Sequence, residues 1–153
     1  MNTEEYFNKV RDIIVGKKIT GTKTVKTTSR DGFGYHVEGD ALVLEDGTIL
    51  NLYMSESDCC ASAYGEWDIP NLEAGITDIR FNVDEDSVDS FPELDCDDSY
   101  HSSATITVLH NQNPIATADC YADDGNSGYY FSVLNLEVKL PTGEVFDEAI
   151  LSA

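Results

Sequence analysis

The sequence predicts a β-rich α+β fold, in which one amphipathic N-terminal helix accompanies an antiparallel meander that forms a curled sheet or a small barrel. Helical periodicity is confined to the first fifteen residues, and the remainder is dominated by runs rich in Thr, Val and Ile. Short turn sequences such as Asp46-Gly47 and Pro141-Thr142-Gly143 separate these runs. Strands joined by short turns favour antiparallel neighbours, with the helix over the apolar face or the open end of the sheet.

The helix is predicted over residues 3–15. Apolar side chains recur there at helical spacing, namely at Tyr6, Phe7, Val10, Ile13 and Ile14. Thr3 is the expected N-cap, and Gly16 is the expected stop.

Strands are predicted between the turns. The extended segments cover residues 18–28, 35–44, 76–83, 104–110, 115–121 and 129–140, and a last short element covers residues 144–151. Asp46-Gly47 predicts a hairpin turn between the apolar pairs that flank it. In the segment 129–140, apolar Leu134, Leu136, Val138 and Leu140 alternate with Asn135, Glu137 and Lys139, which predicts one buried and one solvated face.

The length of 153 residues predicts one domain over residues 1–153. It divides into the helical residues 1–16 and an acidic, β-rich body over residues 17–153, with a long acidic loop at residues 84–98. No run of residues is long and apolar enough for a membrane span, and Met1-Asn2-Thr3-Glu4-Glu5 lacks the basic and apolar regions of a signal peptide. We therefore expect a cytoplasmic protein, with its four cysteines reduced.

Charge is divided unevenly along the chain, whose formal net charge is −20. Residues 1–30 carry seven cations and three carboxylates, whereas residues 31–153 carry 26 carboxylates and two cations. Such a field repels nucleic acid and acidic membranes and attracts basic surfaces, so we expect neither direct nucleic-acid binding nor membrane binding. The N-terminal cations could pair with the acidic body, or with that of a second copy in a head-to-tail homodimer.

The segment 84–98 concentrates this charge, with eight carboxylates in fifteen residues and no cation. Extended backbone would separate alternate side chains by about 6.6–6.8 Å, comparable with successive phosphates of a nucleic-acid strand. The alternative is a solvated loop that aids solubility. We take as candidate partner-binding residues Asp84, Glu85, Asp86, Asp89, Glu93, Asp95, Asp97 and Asp98.

The sequence predicts neither a metal site nor a catalytic site. Residues 119–128 lack the alternating Asp and distal Glu of a calcium loop, and Asp123-Asp124-Gly125-Asn126-Ser127-Gly128 is typical of a turn. No Cys or His pair has zinc-ligand spacing, and no nucleophile, phosphate-loop or zinc-protease motif occurs. A thiol of Cys59 or Cys60 with His101 or His110 is a weaker alternative, because the negative field disfavours a thiolate. We expect no cofactor and no enzymatic activity.

The string Glu56-Ser57-Asp58-Cys59-Cys60-Ala61-Ser62-Ala63-Tyr64-Gly65-Glu66-Trp67 contains the chain's single Trp. Together with Asp78-Ile79, Thr107-Val108-Leu109-His110 and Asp124-Gly125-Asn126-Ser127-Gly128-Tyr129-Tyr130, it resembles an uncharacterised family of small phage and prophage proteins over residues 15–140. The resemblance implies a mobile-element protein of a bacterial cytoplasm and carries no assigned chemistry. The string itself predicts a packed corner, or alternatively a small-ligand pocket lined by Asp58, Cys59, Tyr64 and Trp67.

These observations predict a non-enzymatic inhibitor of a basic nucleic-acid-handling host protein, such as a defence nuclease, that acts by nucleic-acid mimicry in the manner of an anti-CRISPR or anti-restriction factor. The alternative is a small-molecule or nucleotide-binding module at the Cys-Cys/Trp corner. A third interpretation, an acid-rich protein of a saline cytoplasm, would instead require negative charge spread evenly over the surface.

Overall fold

The structure is a computed structural model that describes residues 2–28, 36–57, 61–70, 74–84, 101–123 and 131–153. One helix and nine strands occupy these residues. In chain order they are α1 (Thr3–Ile14), β1 (Ile19–Thr28), β2 (His36–Leu44), β3 (Ile49–Ser57), β4 (Ala63–Asp68), β5 (Asp78–Val83), β6 (His101–His110), β7 (Asn113–Asp123), β8 (Ser132–Lys139) and β9 (Val145–Ser152).

The strands form two antiparallel sheets that pack face to face and do not close into a barrel. The five-stranded sheet has the order β1-β2-β3-β8-β9, and the four-stranded sheet has the order β4-β7-β6-β5. β4 packs on β2 and β3, while β7 packs on β8 and β9. The predicted β-rich fold with one N-terminal helix is confirmed, but the order is not a simple meander, because β4 leaves the first sheet and β8 returns to it.

The hydrophobic core lies between the sheets. Alternate side chains of β3 and β8 point inward, namely Leu50 and Leu52 of β3 and Leu134, Leu136 and Val138 of β8. The burial predicted for Leu134, Leu136 and Val138 is therefore confirmed, whereas Leu140, predicted on the same face, follows β8 and is half-buried. The opposite face of β8 is wet only in part, because Asn135 is buried and its carboxamide bonds Ser55 and Asp147.

Helix α1 closes the end of the sandwich between β5 and β9. Its buried face consists of Tyr6, Phe7, Val10 and Ile14. The Phe7 ring stacks on Phe81 of β5 at 4.8 Å between centroids, and the Lys9 ammonium lies 3.6 Å from the centre of the Phe146 ring of β9. The N-cap is Asn2 rather than the predicted Thr3, since the Asn2 side chain accepts the Glu5 N–H at 2.8 Å.

The tight turns follow the local sequence. The predicted Asp46-Gly47 turn joins β2 to β3, with Gly47 at a φ of 96°. Between β6 and β7, Asn111 and Gln112 both have positive φ, as a two-residue hairpin loop of this hand requires. The segments predicted at 76–83 and 104–110 are strands with slightly different ends, and the segment predicted at 129–140 contains β8, with residues 129 and 130 outside the described ranges.

Side chains or the helix cover three of the four outer strand edges in the described part of the chain. On β4, the Ala63 N–H donates to the Met54 sulfur at 3.4 Å and the Trp67 N–H donates to the Asp40 carboxylate at 2.7 Å. Helix α1 packs against both β5 and β9. β1 forms the remaining edge, and its pairing with β2 is irregular at Ile19 and Gly21.

Candidate partner-binding face

Asp84 is the member of the predicted acidic segment that the structure describes. It follows β5, where its N–H donates to the Ser103 carbonyl at 2.9 Å and its carboxylate accepts the Ser103 hydroxyl at 2.8 Å. These bonds place Asp84 on the outer surface of the four-stranded sheet. The other seven candidates lie outside the described residues: Glu85, Asp86, Asp89, Glu93, Asp95, Asp97 and Asp98.

Strand alternation brings further carboxylates to the same outer surface. In β4, the residues alternate between buried and exposed, so Tyr64, Glu66 and Asp68 point to solvent. The pairing of β4 with β7 sets Glu66 directly opposite Asp119. We call the five carboxylates of this surface the acidic face: Glu66, Asp68, Asp84, Asp119 and Asp123.

The acidic face holds like charges at close range. Side chains directly opposite one another in an antiparallel pair have Cβ atoms about 4.5–5.5 Å apart, and like charges at such positions destabilise the sheet. In the described part of this face, the one Lys or Arg is Arg80 on β5, at the far side of the sheet from β4. Its guanidinium lies 3.8 Å from Asp78. The repulsion between Glu66 and Asp119 is therefore not offset by a neighbouring cation on either strand.

Aromatic rings of β4, β7 and β6 lie beside the carboxylates of the acidic face. Tyr64 is 56% exposed, and its ring centre lies 5.2 Å from that of Tyr121 on β7. His101 of β6 stacks on Tyr121 at 5.9 Å. Ser103, Thr105 and Thr107 occupy the outward positions of β6. The surface thus combines fixed negative charge with flat rings and short hydroxyl side chains.

A shallow groove of about 340 Å³ borders the acidic face where β4 approaches β1 and β2. Two acids of β2, Glu38 and Asp40, line the groove together with Glu66 and Tyr64. Asp40 is held in place by its bond to the Trp67 N–H. The negative surface therefore continues around the edge of β4.

The predicted ligand corner is only partly described. Asp58 and Cys59 lie outside the described residues, whereas Tyr64 and Trp67 both belong to β4. These two side chains point to opposite faces of the strand, because Tyr64 is exposed and Trp67 lies in the core at 6% exposure. The structure does not bring them together in one pocket, although the buried indole N–H of Trp67 has no partner among the described residues.

Cys120 is the cysteine that the structure describes, and it is buried in the core beneath the acidic face. Burial, with a smaller contribution from the negative charge of Asp119, raises the pKa of Cys120 to about 12. This thiol is therefore protonated and unreactive at neutral pH. No group of three or more His, Cys, Asp or Glu residues in the described ranges is placed to hold a metal ion.

Two N-terminal cations form ion pairs with the body of the protein. The Arg11 Nε lies 2.5 Å from an Asp78 oxygen, and the Lys17 Nζ lies 2.7 Å from an Asp46 oxygen. Burial opposes ionisation of Asp78, but the Ile79 N–H and Arg11 outweigh it and lower the pKa of Asp78. These pairs fasten the helix and the segment after it to β5 and to the β2–β3 turn.

A model for a domain of unknown function, DUF7448, matches residues 11–135. The chain belongs to that family. The DUF7448 match runs from the last turn of α1 into β8 and contains the whole acidic face. The prediction that the chain belongs to an uncharacterised family is therefore confirmed.

No curated protein and no solved structure matches the chain. In the described ranges, no helix has the length and apolar character needed to cross a membrane. β4 and its contribution to the acidic face were not predicted from sequence, because the Cys-Cys/Trp string was interpreted as a corner. The sequence pattern that could have predicted β4 is the alternation of Ala63, Gly65 and Trp67 with Tyr64, Glu66 and Asp68.

Proposed function

We propose that this protein is a non-enzymatic phage or mobile-element protein that binds a basic nucleic-acid-handling host protein in the bacterial cytoplasm and inhibits it by nucleic-acid mimicry. A defence nuclease is the proposed kind of target, so the activity would be of the anti-CRISPR or anti-restriction type. The phage origin rests on the resemblance of Ser57-Asp58-Cys59-Cys60 with Gly65-Glu66-Trp67 to small phage and prophage proteins.

The observation that carries the proposal is the unneutralised pairing of Glu66 with Asp119 on the acidic face. Opposed like charges cost folding free energy, and one substitution to a neutral residue would relieve that cost. A protein that places them on a flat, exposed sheet gains a surface that a cationic groove can complement. The register of β8 with β9 also sets Glu137 opposite Asp147, but β8 carries Lys139, whereas β4 and β7 carry no Lys or Arg beside Glu66 and Asp119.

The spacing of the acidic face suits the proposed mimicry. Glu66 and Asp68 are alternate residues of one strand, so their side chains lie about 6.6–6.8 Å apart, and neighbouring strands add rows about 4.7–4.9 Å away. Arg side chains of a nucleic-acid channel could form bidentate bonds with such carboxylates. The exposed Tyr64 ring and the half-buried Tyr121 ring beside it offer surfaces on which a guanidinium or aromatic group can stack.

The outer surface of the five-stranded sheet differs in charge. Outward positions there hold Lys23 and Lys139 as well as Glu137 and Asp147. The described outer surfaces of the two sheets therefore do not share one charge character. This difference favours a directional docking surface over a negative charge spread evenly for solubility.

The test is affinity capture from a bacterial lysate with the wild-type protein at about 50 mM and at about 500 mM salt, followed by a binding titration with the purified partner. We expect a basic nucleic-acid-binding protein that is released at high salt and whose nucleic acid competes for binding. The variant E66Q/D68N/D119N should bind at least about tenfold more weakly, which corresponds to about 1.4 kcal/mol.

The matched control is E4Q/E144Q/E148Q, which removes three carboxylates from α1, the β8–β9 turn and β9. Both variants have the same net charge, so a loss confined to E66Q/D68N/D119N locates the interface. Equal weakening by both variants, or a partner that nucleic acid does not displace, would contradict the proposal. Charge reversal of Asp95, Asp97 and Asp98 tests in the same assay whether the acidic segment takes part.

A small-molecule module at the Cys-Cys/Trp corner is the second candidate. The observation that favours it is the indole N–H of Trp67, which is buried and lacks an acceptor among the described residues. A metabolite that provides this acceptor should shift or quench the fluorescence of the chain's single Trp. An unchanged emission spectrum across nucleotides and common metabolites would remove this candidate.

A further inference from the structure

Three of the chain's nine basic residues line a single cavity on the side of the protein opposite the acidic face. The cavity has a volume of about 600 Å³ and is lined by Lys23 and Lys26 of β1, by Ile49 of β3 and by Glu137 and Lys139 of β8, with the Leu140–Gly143 turn at one side. This volume lies within the range of about 300–1,000 Å³ that is usual for small-molecule sites. In a chain with a net charge of −20, such a gathering of lysines is unexpected.

The ammonium groups of Lys23, Lys26 and Lys139 form no ion pair with a carboxylate of the described ranges. Within the described residues, none of the three lies within 4.0 Å of an Asp or Glu oxygen, whereas Lys17 and Arg11 both form such pairs. Unpaired ammonium groups around one concavity raise the local positive potential and favour an anionic ligand. Lysine binds phosphate as a point charge without demanding a fixed orientation.

A buried carboxamide lies in the sheet beneath the cavity and does not line it. Strand pairing places Lys23, Ala41, Asn51 and Glu137 in one row across β1, β2, β3 and β8. The two ends of this row line the cavity, and Ala41 and Asn51 lie between them at 0% exposure. Asn51 therefore lies under the middle of the lysine-lined cavity.

The Asn51 carboxamide has no hydrogen-bond partner for its nitrogen or its oxygen in the described part of the chain. A buried polar group in this state costs about 1–3 kcal/mol, so a core position normally excludes it. The oxygen lies over Gly39, where a Cβ atom would come within 2.3 Å of it. The small residues Gly39 and Ala41 thus leave the space that this polar group occupies.

We propose that this lysine-lined cavity binds a small molecule with two or more phosphate groups and the dimensions of a nucleotide. Lys23 and Lys139 stand on strands that are three positions apart in the sheet, about 14 Å between backbones, so one ligand that reaches both must be elongated. The phosphates contact the lysines, and Val25 and Ile49 contact the apolar part of the ligand. This site is independent of the acidic face, because it lies on the other sheet.

The direct test is calorimetric titration of the wild-type protein with ATP, with inorganic tripolyphosphate and with inorganic phosphate at about 150 mM salt. We expect saturable binding of ATP and tripolyphosphate and at least tenfold weaker binding of single phosphate. Tighter binding of ATP than of tripolyphosphate identifies a nucleotide, and equal binding identifies a polyphosphate chain. No saturable binding of either polyphosphate compound would overturn the proposal.

The lysine contacts are tested with K23Q/K139Q and with the control K9Q/R80Q. Both variants lose two positive charges, but Lys9 and Arg80 lie on α1 and β5 and do not line the cavity. We expect K23Q/K139Q to bind at least tenfold more weakly and K9Q/R80Q to stay within twofold of wild type. Equal losses would show a general charge effect and would contradict the assigned site.

The cavity wall supplies a readout that needs no substitution. In a two-dimensional ¹⁵N NMR spectrum, the backbone signals of Gly47 and Gly143 should move on ligand addition. Unmoved signals of both glycines in the presence of saturating ligand would show that the ligand binds elsewhere.

Discussion

Gly39 of β2 is surrounded by atoms of β3. A Cβ atom at this position would lie 2.3 Å from the Asn51 Oδ1 and 2.8 Å from the Leu52 carbonyl oxygen. The second of these is backbone and cannot move without disturbing the pairing of β2 and β3. The requirement for glycine here arises from contact between strands rather than from a special backbone angle.

Gly39→Ala should therefore destabilise the protein by about 1–3 kcal/mol, as overpacking in a rigid core does. The matched control is Gly75→Ala, because a Cβ atom at Gly75 meets no atom within 4 Å. That substitution should be neutral or stabilising by up to about 1 kcal/mol. Urea unfolding of both variants measures the difference, and similar stabilities for the two would contradict the close contact at Gly39.

Asp46 makes the stability of the protein depend on pH in the acidic range. Burial opposes its ionisation, but hydrogen bonds from Lys17 and Thr48 outweigh burial and lower the pKa of Asp46 from 3.8 to about 2. A lowered folded-state pKa means that the stabilisation is complete above the unfolded-state pKa and disappears as the pH falls through the folded-state value.

Asp46→Asn retains an oxygen for the Thr48 N–H and removes the ion pair with Lys17. Above about pH 4 the variant should be less stable than wild type by about 0.2–1 kcal/mol, since the pair is partly exposed. The difference should shrink between about pH 4 and pH 2. Urea unfolding over this range is the measurement, with Glu45→Gln as the neighbouring control, and a difference that persists at pH 2 would exclude the ionic explanation.

The attachment of α1 to the sandwich depends on a buried hydroxyl as well as on apolar packing. The Tyr6 Oη donates to the Leu136 carbonyl of β8 at 2.6 Å and lies 3.2 Å from the Phe146 carbonyl of β9. Burial, reinforced by the nearby charge of Asp147, raises the pKa of Tyr6 above its usual value, so the hydroxyl remains a donor at high pH.

Tyr6→Phe should lower the free energy of unfolding by about 0.5–1.5 kcal/mol, because the buried hydrogen bond is lost while the ring remains. Tyr64→Phe is the control, since the Tyr64 side chain is exposed on the acidic face. Its effect should stay within about 0.5 kcal/mol. Denaturant titrations compare the two, and a Tyr6→Phe protein as stable as wild type would show that the hydroxyl contributes nothing to helix docking.

Elements with a strong local pattern were predictable, and elements defined by distant partners were not. Helix α1 and the Asp46-Gly47 hairpin depend on neighbouring residues, so their sequences were sufficient. The pairing of β3 with β8 joins residues 75 to 90 positions apart, and no local signal encodes it. For the same reason, the negative composition was visible in sequence, whereas the register that sets Glu66 against Asp119 was not.

At the scale of the whole molecule, repulsion among carboxylates should limit stability at low ionic strength. At 0.1 M salt, exposed charges more than about 10 Å apart are largely screened from one another. We therefore expect the melting temperature to rise as sodium chloride increases from about 10 to about 300 mM. E66Q/D119N should be more stable than wild type at low salt, and its advantage should diminish as salt is added.

Differential scanning calorimetry at several salt concentrations measures both effects. E4Q/E144Q is a control of equal net charge, with neither carboxylate in a cross-strand like-charge pair of the described residues. A melting temperature that falls with salt would mean that attractive ion pairs, such as Arg11 with Asp78, outweigh the repulsion. An equal rise in melting temperature for both variants would show that total charge, rather than the opposition of Glu66 and Asp119, causes the effect.

The arrangement of the strand edges has a consequence for aggregation. With β4, β5 and β9 covered, β1 is the described edge along which a foreign strand could extend the sandwich. Lys23 and Lys26 and the irregular pairing near Gly21 act against growth of a fibril from that edge, since lysines and bulges on outer strands discourage edge-to-edge association. Neutral, strand-forming residues at these two lysines would remove that protection and open a route to amyloid-like polymerisation.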